Sequence, residues 1–388
     1  MSSAFSAAGG KAERNFMKFI CNRDTLNSAV VIVSRAVSQR SSIAALEGIY
    51  IKADESGKVT LRGNDLEIGI ETAIDADVSS GGEVVLDAKL FVRIMAAASE
   101  PEISLETGDN LMTTIKSGHA RFDIPGINAE EFPDLPGVEE NYSVVLPAGV
   151  LKNMIEMTSF AAAKTDNDPT RMGSLLRIRP GKLSMTALDG YRIAQRNVKI
   201  SGDFAEKDMI IPEKSLVELA KIIGESDDDV RIVAAASHAL FSIGGYMLVT
   251  RLIDGSFTNF ERIIPDSYEL ELNCAVRDIA DSVRRASLII LNELVKGPIK
   301  LKITDANINV SCTTTAGSVD DNISIDTPPG ADLTIGFYNR YLQDVFSVIK
   351  DDYIMMKFNK SVNPLVITPV EGDDYMYMIL PIVLRNYS

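Results

Sequence analysis

Thr186-Ala187-Leu188-Asp189-Gly190-Tyr191-Arg192-Ile193-Ala194 reads as a strand, a tight turn and a second strand. Apolar residues flank the Asp-Gly pair, and Gly supplies the positive φ that a short hairpin turn needs. Upstream, Leu61-Arg62-Gly63-Asn64-Asp65-Leu66-Glu67-Ile68 echoes the stretch, and downstream Cys312-Thr313-Thr314-Thr315-Ala316-Gly317 echoes it more weakly. Asp65 and Asp189 stand 124 positions apart, and Gly190 and Gly317 stand 127 apart. A period of this length is too long for a solenoid and matches one ordinary domain, so the reading is three copies of one domain.

Other landmarks keep the period. Apolar residues at helical spacing begin with Leu26, Val30, Val33 and Val37, which Asn22 can cap, and return with Leu151, Met154, Ile155 and Thr158 after Pro147. They return again with Val276, Ile279, Ala280 and Val283. A second helix per copy is read at Leu90, Phe91, Ile94 and Met95, at Leu216, Leu219 and Ile223, and at Leu342, Val345, Phe346 and Ile349. Alternating strands such as Leu66/Ile68/Ile70 and Phe122/Ile124 lie between. Exits are read at Phe132, Phe257 and Tyr375. Two helices and roughly eight short strands per copy give an α+β domain whose helices cover one face of antiparallel sheet. The boundaries follow as 17–143, 144–268 and 269–388, with 1–16 a tag or disordered extension rich in Ser, Ala and Gly.

Composition narrows the function. At 388 residues, 46% hydrophobic and 24% charged, the chain can fill several cores. It has no apolar run of the ~18 residues a membrane span needs, and a cytoplasmic protein is expected. Cys21, Cys274 and Cys312 form no CxxC pair and read as structural thiols in a reducing compartment. His119 and His238, the two histidines, have no metal-ligand spacing, so no metal or cofactor is expected. Two histidines also support no Ser/His/Asp or Cys/His catalytic constellation, and no Gly-rich phosphate loop precedes a helix. Asp65 and Asp189 could be read as paired carboxylates, but their matching places in two copies favour a turn role. The chain is therefore read as a non-enzyme.

The net charge of −15 argues at first against nucleic acid. Its distribution reverses that reading. The helical windows 23–40, 88–99, 147–164, 213–224, 275–291 and 338–350 hold 14 basic and 7 acidic residues, leaving 25 basic and 47 acidic elsewhere. Helix propensity favours Glu about as well as Lys, so it does not explain the bias. Helices facing one way would give one surface that attracts polyanions and others that repel them.

Three similar copies, basic helices, the exits Phe132-Pro133-Asp134-Leu135-Pro136 and Phe260-Glu261-Arg262-Ile263-Ile264-Pro265, the central Asp189-Gly190-Tyr191-Arg192-Ile193-Ala194 and the terminal Met378-Ile379-Leu380-Pro381-Ile382-Val383-Leu384 resemble the bacterial sliding clamps, the β subunits of DNA polymerase III. The resemblance runs from about residue 17 to residue 384 and implies a homodimeric ring of six domains, with helices lining the hole and sheets outside. Double-stranded DNA would pass through without its sequence being read. Implied partners are a second copy of the chain, the catalytic subunit of the replicative polymerase, the clamp loader and other proteins carrying short clamp-binding motifs. The class of rival reading is a three-domain protein-binding scaffold that does not encircle DNA.

The resemblance also implies a pocket for those motifs. It falls on Met172, Leu188, Gly190, Tyr191, Arg192 and Ile193, then Thr258, Arg262 and Ile263, then Met378, Leu380, Pro381 and Ile382. Leu, Ile and Met give adaptable apolar walls, Gly190 lets a backbone approach, and Arg192 and Arg262 could hold a carboxylate or carbonyl at the rim. Tyr191 stands where His is frequent in the family, Thr258 where Pro is, and Val383 where Arg is, while 385–388 extend past the usual end. For DNA, Arg40 matches a family contact, and the loop 166–172 offers Arg171 in place of an aromatic pair. Phe122 and Ile124, with Leu288, Ile289 and Ile290, are the implied dimer edge.

Overall fold

The structure is a computed structural model that describes residues 16–202, 204–290, 298–325 and 330–384. The expectations for 1–15 and for the 385–388 extension lie outside the described residues. Six α-helices occur among those described: α1 Arg23–Val33, α2 Ala88–Ala97, α3 Ala148–Thr158, α4 Glu213–Ile223, α5 Val276–Ser287 and α6 Asn339–Val348. They pack in consecutive pairs, α1 on α2, α3 on α4 and α5 on α6. Asn22 caps α1 as its sequence implies, its Oδ1 accepting from the Asp24 and Thr25 amides at 2.9 and 3.1 Å. Pro147 sits one place earlier than expected, as the residue before α3. Gly224 ends α4 at φ +54°, and Lys152 of α3 donates to its carbonyl at 2.7 Å.

The inward faces are the apolar ones: Leu26, Val30 and Val33; Phe91, Ile94 and Met95; Leu151, Met154 and Ile155; Leu216, Leu219 and Ile223; Ile279 and Val283; Leu342, Val345 and Phe346. Two expected inward residues differ. Leu90 is exposed, because it lies at the edge of the α2 face carried by Phe91, Ile94 and Met95, and α1 stops before Val37 in a 3-10 turn, Ser34–Ala36. Cys21, Cys274 and Cys312 are free and buried, and burial pushes the Cys21 and Cys274 thiols up to about 12.

The chain forms two compact bodies, one of residues up to 143 with 230–251, the other of 144–229 with 252 onward. In the first, one antiparallel sheet runs in the order Asp229–Ala234, His238–Ile243, Tyr246–Arg251, Ile68–Asp75, Lys58–Asn64, Gly48–Asp54, Gly82–Asp87, Ala120–Ile127, Met112–Ser117, Glu102–Thr107, Met17–Asn22 and Asp77–Ser80. In the second, an eight-stranded sheet runs Lys207–Pro212, Gly173–Arg179, Lys182–Leu188, Arg192–Lys199, Tyr375–Ile379, Leu365–Pro369, Tyr353–Phe358 and Leu270–Ala275. A four-stranded sheet beside it runs Gly317–Ser324, Asn307–Thr314, Ile299–Thr304 and Asp332–Phe337.

Strand register fixes the repeat. Carried strand by strand from the residues before α2, α4 and α6, the ladders match Thr72, Arg196 and Asp321. Carried from those before α1 and α5, and through the equivalent hairpin of the second copy, they match Ala120, Tyr246 and Tyr375. Asp65 and Asp189 occupy the same turn, as the sequence indicated. Asp65 Oδ1 accepts from the Glu67 and Ile68 amides at 3.0 and 2.8 Å, and Asp189 Oδ1 from the Tyr191 and Arg192 amides at 3.0 and 3.1 Å. Two expected matches shift. Gly190 corresponds to Leu66, and Gly317 to Arg192, because Thr314 pairs directly with Gly317 across the third hairpin. Tyr375 lies inside a strand equivalent to Tyr246–Arg251, so it is no counterpart of the exits at Phe132 and Phe257.

Candidate functional site: an apolar row beside an Asp-Gly turn

Four strands of the second body set one side chain each in a row. Leu188 faces Ile193, Ile193 faces Met378, and Met378 faces Val366. All four are buried, and Phe260 of the turn Phe260–Ile263 closes over them. Phe257 meets Phe260 edge-on, with ring centres 6.5 Å apart. Leu188, Ile193 and Met378 of the sequence-derived pocket are thus its floor. Gly190, Tyr191, Arg262 and Ile263 are exposed around it, and Met172, Thr258, Leu380, Pro381 and Ile382 are half-buried. Past residue 379 the chain stays beside the turn: the Leu380 amide donates to the Tyr191 carbonyl and the Ile382 amide to the Gly336 carbonyl, both at 2.8 Å. Tyr191 and Ile263, 61% and 51% exposed, leave apolar surface open next to a buried apolar row.

Arg192 plays a different part from the one expected at the rim. It is buried, and each guanidinium nitrogen has an acceptor in its own chain. Nε donates to Asp189 Oδ2 at 3.0 Å, Nη1 to Asp344 Oδ2 at 2.5 Å and Nη2 to the Phe160 carbonyl at 2.6 Å. Its plane lies over Phe160 and Tyr341, 5.3 and 4.6 Å from the ring centres, and Tyr191 stacks on Tyr341. Burial and the Asp189 charge raise the Tyr341 hydroxyl. This buried cation fastens the turn to α6, which carries Asp344. Arg171, expected at a DNA-facing tip, is turned toward the same site. Its carboxylate neighbours are Asp166 and Asp168, and its Nη1 lies beside Gly190.

Sequence reasoning missed Val366, Phe260, Tyr341 and Asp344 as parts of this site. Phe260 carried a signal, since it follows Leu135 by one repeat. Nothing local marks the other three. A separate concavity of about 470 Å³ lies on the same sheet, lined by Lys182, Glu271, Lys357, Asp373, Met355 and Met376 among others. Its lysines pair with its own acids, Lys182 with Asp373 at 3.4 Å and Lys357 with Glu271 at 3.7 Å.

Arg40 is exposed in the loop after α1. Ile124 is buried in its own body and Phe122 half-buried, while Leu288 is 72% exposed and Ile289 and Ile290 pack on the core beneath them. Among the strand edges left open in the described residues, two belong to counterparts of the strands that pair between repeats. Gly317–Ser324 pairs on one side only, with Asn307–Thr314. Ala120–Ile127 pairs fully with Met112–Ser117 and, on its other side, only through Gly126 and Ile127.

Three copies of one α+β unit, joined through shared sheets, define a DNA clamp. The comparisons agree. Models of the N-terminal, central and C-terminal domains of the DNA polymerase III beta subunit match residues 17–136, 145–259 and 261–383. The beta sliding clamp of Staphylococcus epidermidis is 31% identical over 380 residues, covering 96% of this chain and all of that protein. The solved sliding clamp of Bacillus subtilis superposes with a TM-score of 0.90 at 30% identity, over 95% of this chain and all of the other. A putative beta subunit from Eubacterium rectale gives 0.89 at 34%, over 94% and 99%. The chain belongs to the DNA polymerase III beta subunit family, the bacterial sliding clamps.

Proposed function

We propose that two copies of the chain close into a ring around duplex DNA and that each tethers the polymerase subunit, the clamp loader or another motif-bearing protein at the Gly190 turn. The observation that carries this reading is the pair of open edges. Strands Ile68–Asp75 and Arg192–Lys199 are each paired with the last strand of the following repeat, Tyr246–Arg251 and Tyr375–Ile379. Their third equivalent, Gly317–Ser324, lacks such a partner among the described residues, and so does the remaining last strand, Ala120–Ile127. A second copy supplies both, and an unpaired edge of either kind is otherwise a liability.

A third joint built like the two formed ones has a defined register. Thr72 faces Tyr246 and Arg196 faces Tyr375, so Asp321 of one protomer faces Ala120 of its partner. Arg121 then opposes Asp320, Phe122 opposes Val319 and Ile124 opposes Gly317. Arg121 and Asp320 are both exposed, on matching outer faces, and carry opposite charge. Exposed Lys89, Arg93, Lys214, Lys221, Arg277 and Arg284 on the helices would meet phosphate without reading bases, which supports sliding. The acidic remainder opposes binding from outside. Retention by topology needs no catalysis, and the role is that of a tether.

Light scattering at low micromolar concentration tests the assembly. The protein is expected at twice its chain mass. Arg121→Asp and Asp320→Arg should each weaken the dimer about fivefold to tenfold, and the two together should restore it. A monomeric parent, or a double variant weaker than either single one, would contradict the joint.

A further inference from the structure

Two guanidinium groups flank the Asp189–Arg192 turn, and they differ in how well they are satisfied. Arg192 is buried and has an acceptor in its own chain on each of its three nitrogens. Arg171 has carboxylates only at 3.6 and 3.8 Å, from Asp166 and Asp168, beyond hydrogen-bond reach. Its Nε is buried and finds no hydrogen-bond partner among the described residues. Its Nη1 stands 3.3 Å from where a Cβ on Gly190 would be. The backbone from which it projects is fixed at both groups: the Arg171 amide donates to the Asp168 carbonyl at 3.1 Å and its carbonyl accepts from the Ala163 amide at 2.8 Å. A cation held in place, short of acceptors and next to an exposed glycine, is arranged to receive an anion.

We propose that Arg171 is a specificity-determining residue of the motif site and that it takes a carboxylate of the incoming peptide. The inference rests on the reading of the Gly190 turn as a peptide site. It moves Arg171 from DNA contact to partner selection, and it moves acid recognition from Arg192 to Arg171. Asp166 and Asp168 hold the guanidinium in register while it is unliganded, at distances from which a ligand carboxylate can displace them. Asp166 is the cleaner of the two to alter, because its Oδ1 accepts from the Asp168 amide, a bond that asparagine keeps while losing the charge.

The test uses fluorescent, C-terminally amidated hexapeptides that contain an adjacent pair of large apolar residues to match the apolar row, with Asp or Asn placed in turn at every other position. Binding to the full chain is measured by anisotropy. At one position or more the Asp peptide should bind the parent roughly threefold to tenfold tighter than its Asn twin. Arg171→Gln should bring the two together, while Asp166→Asn should widen the gap. A preference that survives Arg171→Gln unchanged would overturn the inference and point to Arg262 as the reader. Equal binding of both twins to the parent would overturn it as well. If no peptide binds the parent, the peptide-site reading itself fails, which sets that outcome apart from the other two.

Discussion

In the turn at residues 65–68 an aspartate accepts two amides, a bulky residue follows at positive φ, and Ile68 is buried behind it. In the turn at residues 189–192 the aspartate makes the same two bonds, a glycine follows at positive φ, and a buried arginine takes the place of Ile68. The backbones match, and both hairpins lie at a joint where a strand of one repeat pairs with a strand of the next. Apolar burial completes the first joint: Ile68 is 1% exposed, and Leu135 packs directly on Gly69. The second needs three acceptors and two aromatic rings, drawn from 160, 189, 341 and 344, to bury one cation. The difference teaches that the repeat supplies the turn while side-chain chemistry decides how the joint behind it is completed.

The largest effect should come from breaking the charged joint. Arg192→Met would leave Asp189, a half-buried carboxylate, without its cation, and Asp344 with only Arg340 at 3.8 Å. A loss of about 3 kcal/mol is expected in urea unfolding. The matching change in the first joint, Ile68→Val, should cost about 1 kcal/mol. A smaller loss for Arg192→Met than for Ile68→Val would mean that the network adds little to the joint.

A smaller pair of changes sharpens the comparison through the backbone. Gly190 has φ +86° and Leu66 φ +75°, where a side chain is strained. Gly190→Ala should destabilise by about 1 kcal/mol and also weaken peptide binding, because a Cβ would crowd Arg171 Nη1. Leu66→Gly should stabilise by up to about 1 kcal/mol, since it relieves strain at a side chain that is 58% exposed. Opposite signs in thermal melts are the expected outcome, and equal signs would show that the two turns are not strained alike.

Local signals in the sequence carried much of this fold. Helical spacing located all six helices, Asn22 its cap, and Asp65 and Asp189 their turn role, because each depends on neighbours a few residues away. The basic helices and acidic remainder were also legible as counts. The second half of the site was not. Arg192 reaches acceptors 32 and 152 positions distant, and Ile193 meets Met378 only once two distant strands are in register. Arg192 therefore read as a free rim cation and Arg171 as a tip, when the fold makes one a fastening and leaves the other short of partners. The third repeat was offset for a related reason: its ladder runs one rung further, to Thr314 and Gly317, and its glycine falls two positions later in the repeat than Gly190, so matching glycine to glycine misaligned it. Leu90 read as core because a run of four apolar positions on α2 is wider than the face that the sheet covers.

The central claim is that the chain holds DNA by enclosing it. Loading the protein onto a nicked circular plasmid, washing in moderate salt, and then cutting half of the sample once with a restriction enzyme measures this directly. The account predicts protein retained on the circle and lost from the linear product through its free ends, whereas equal retention on both would contradict it.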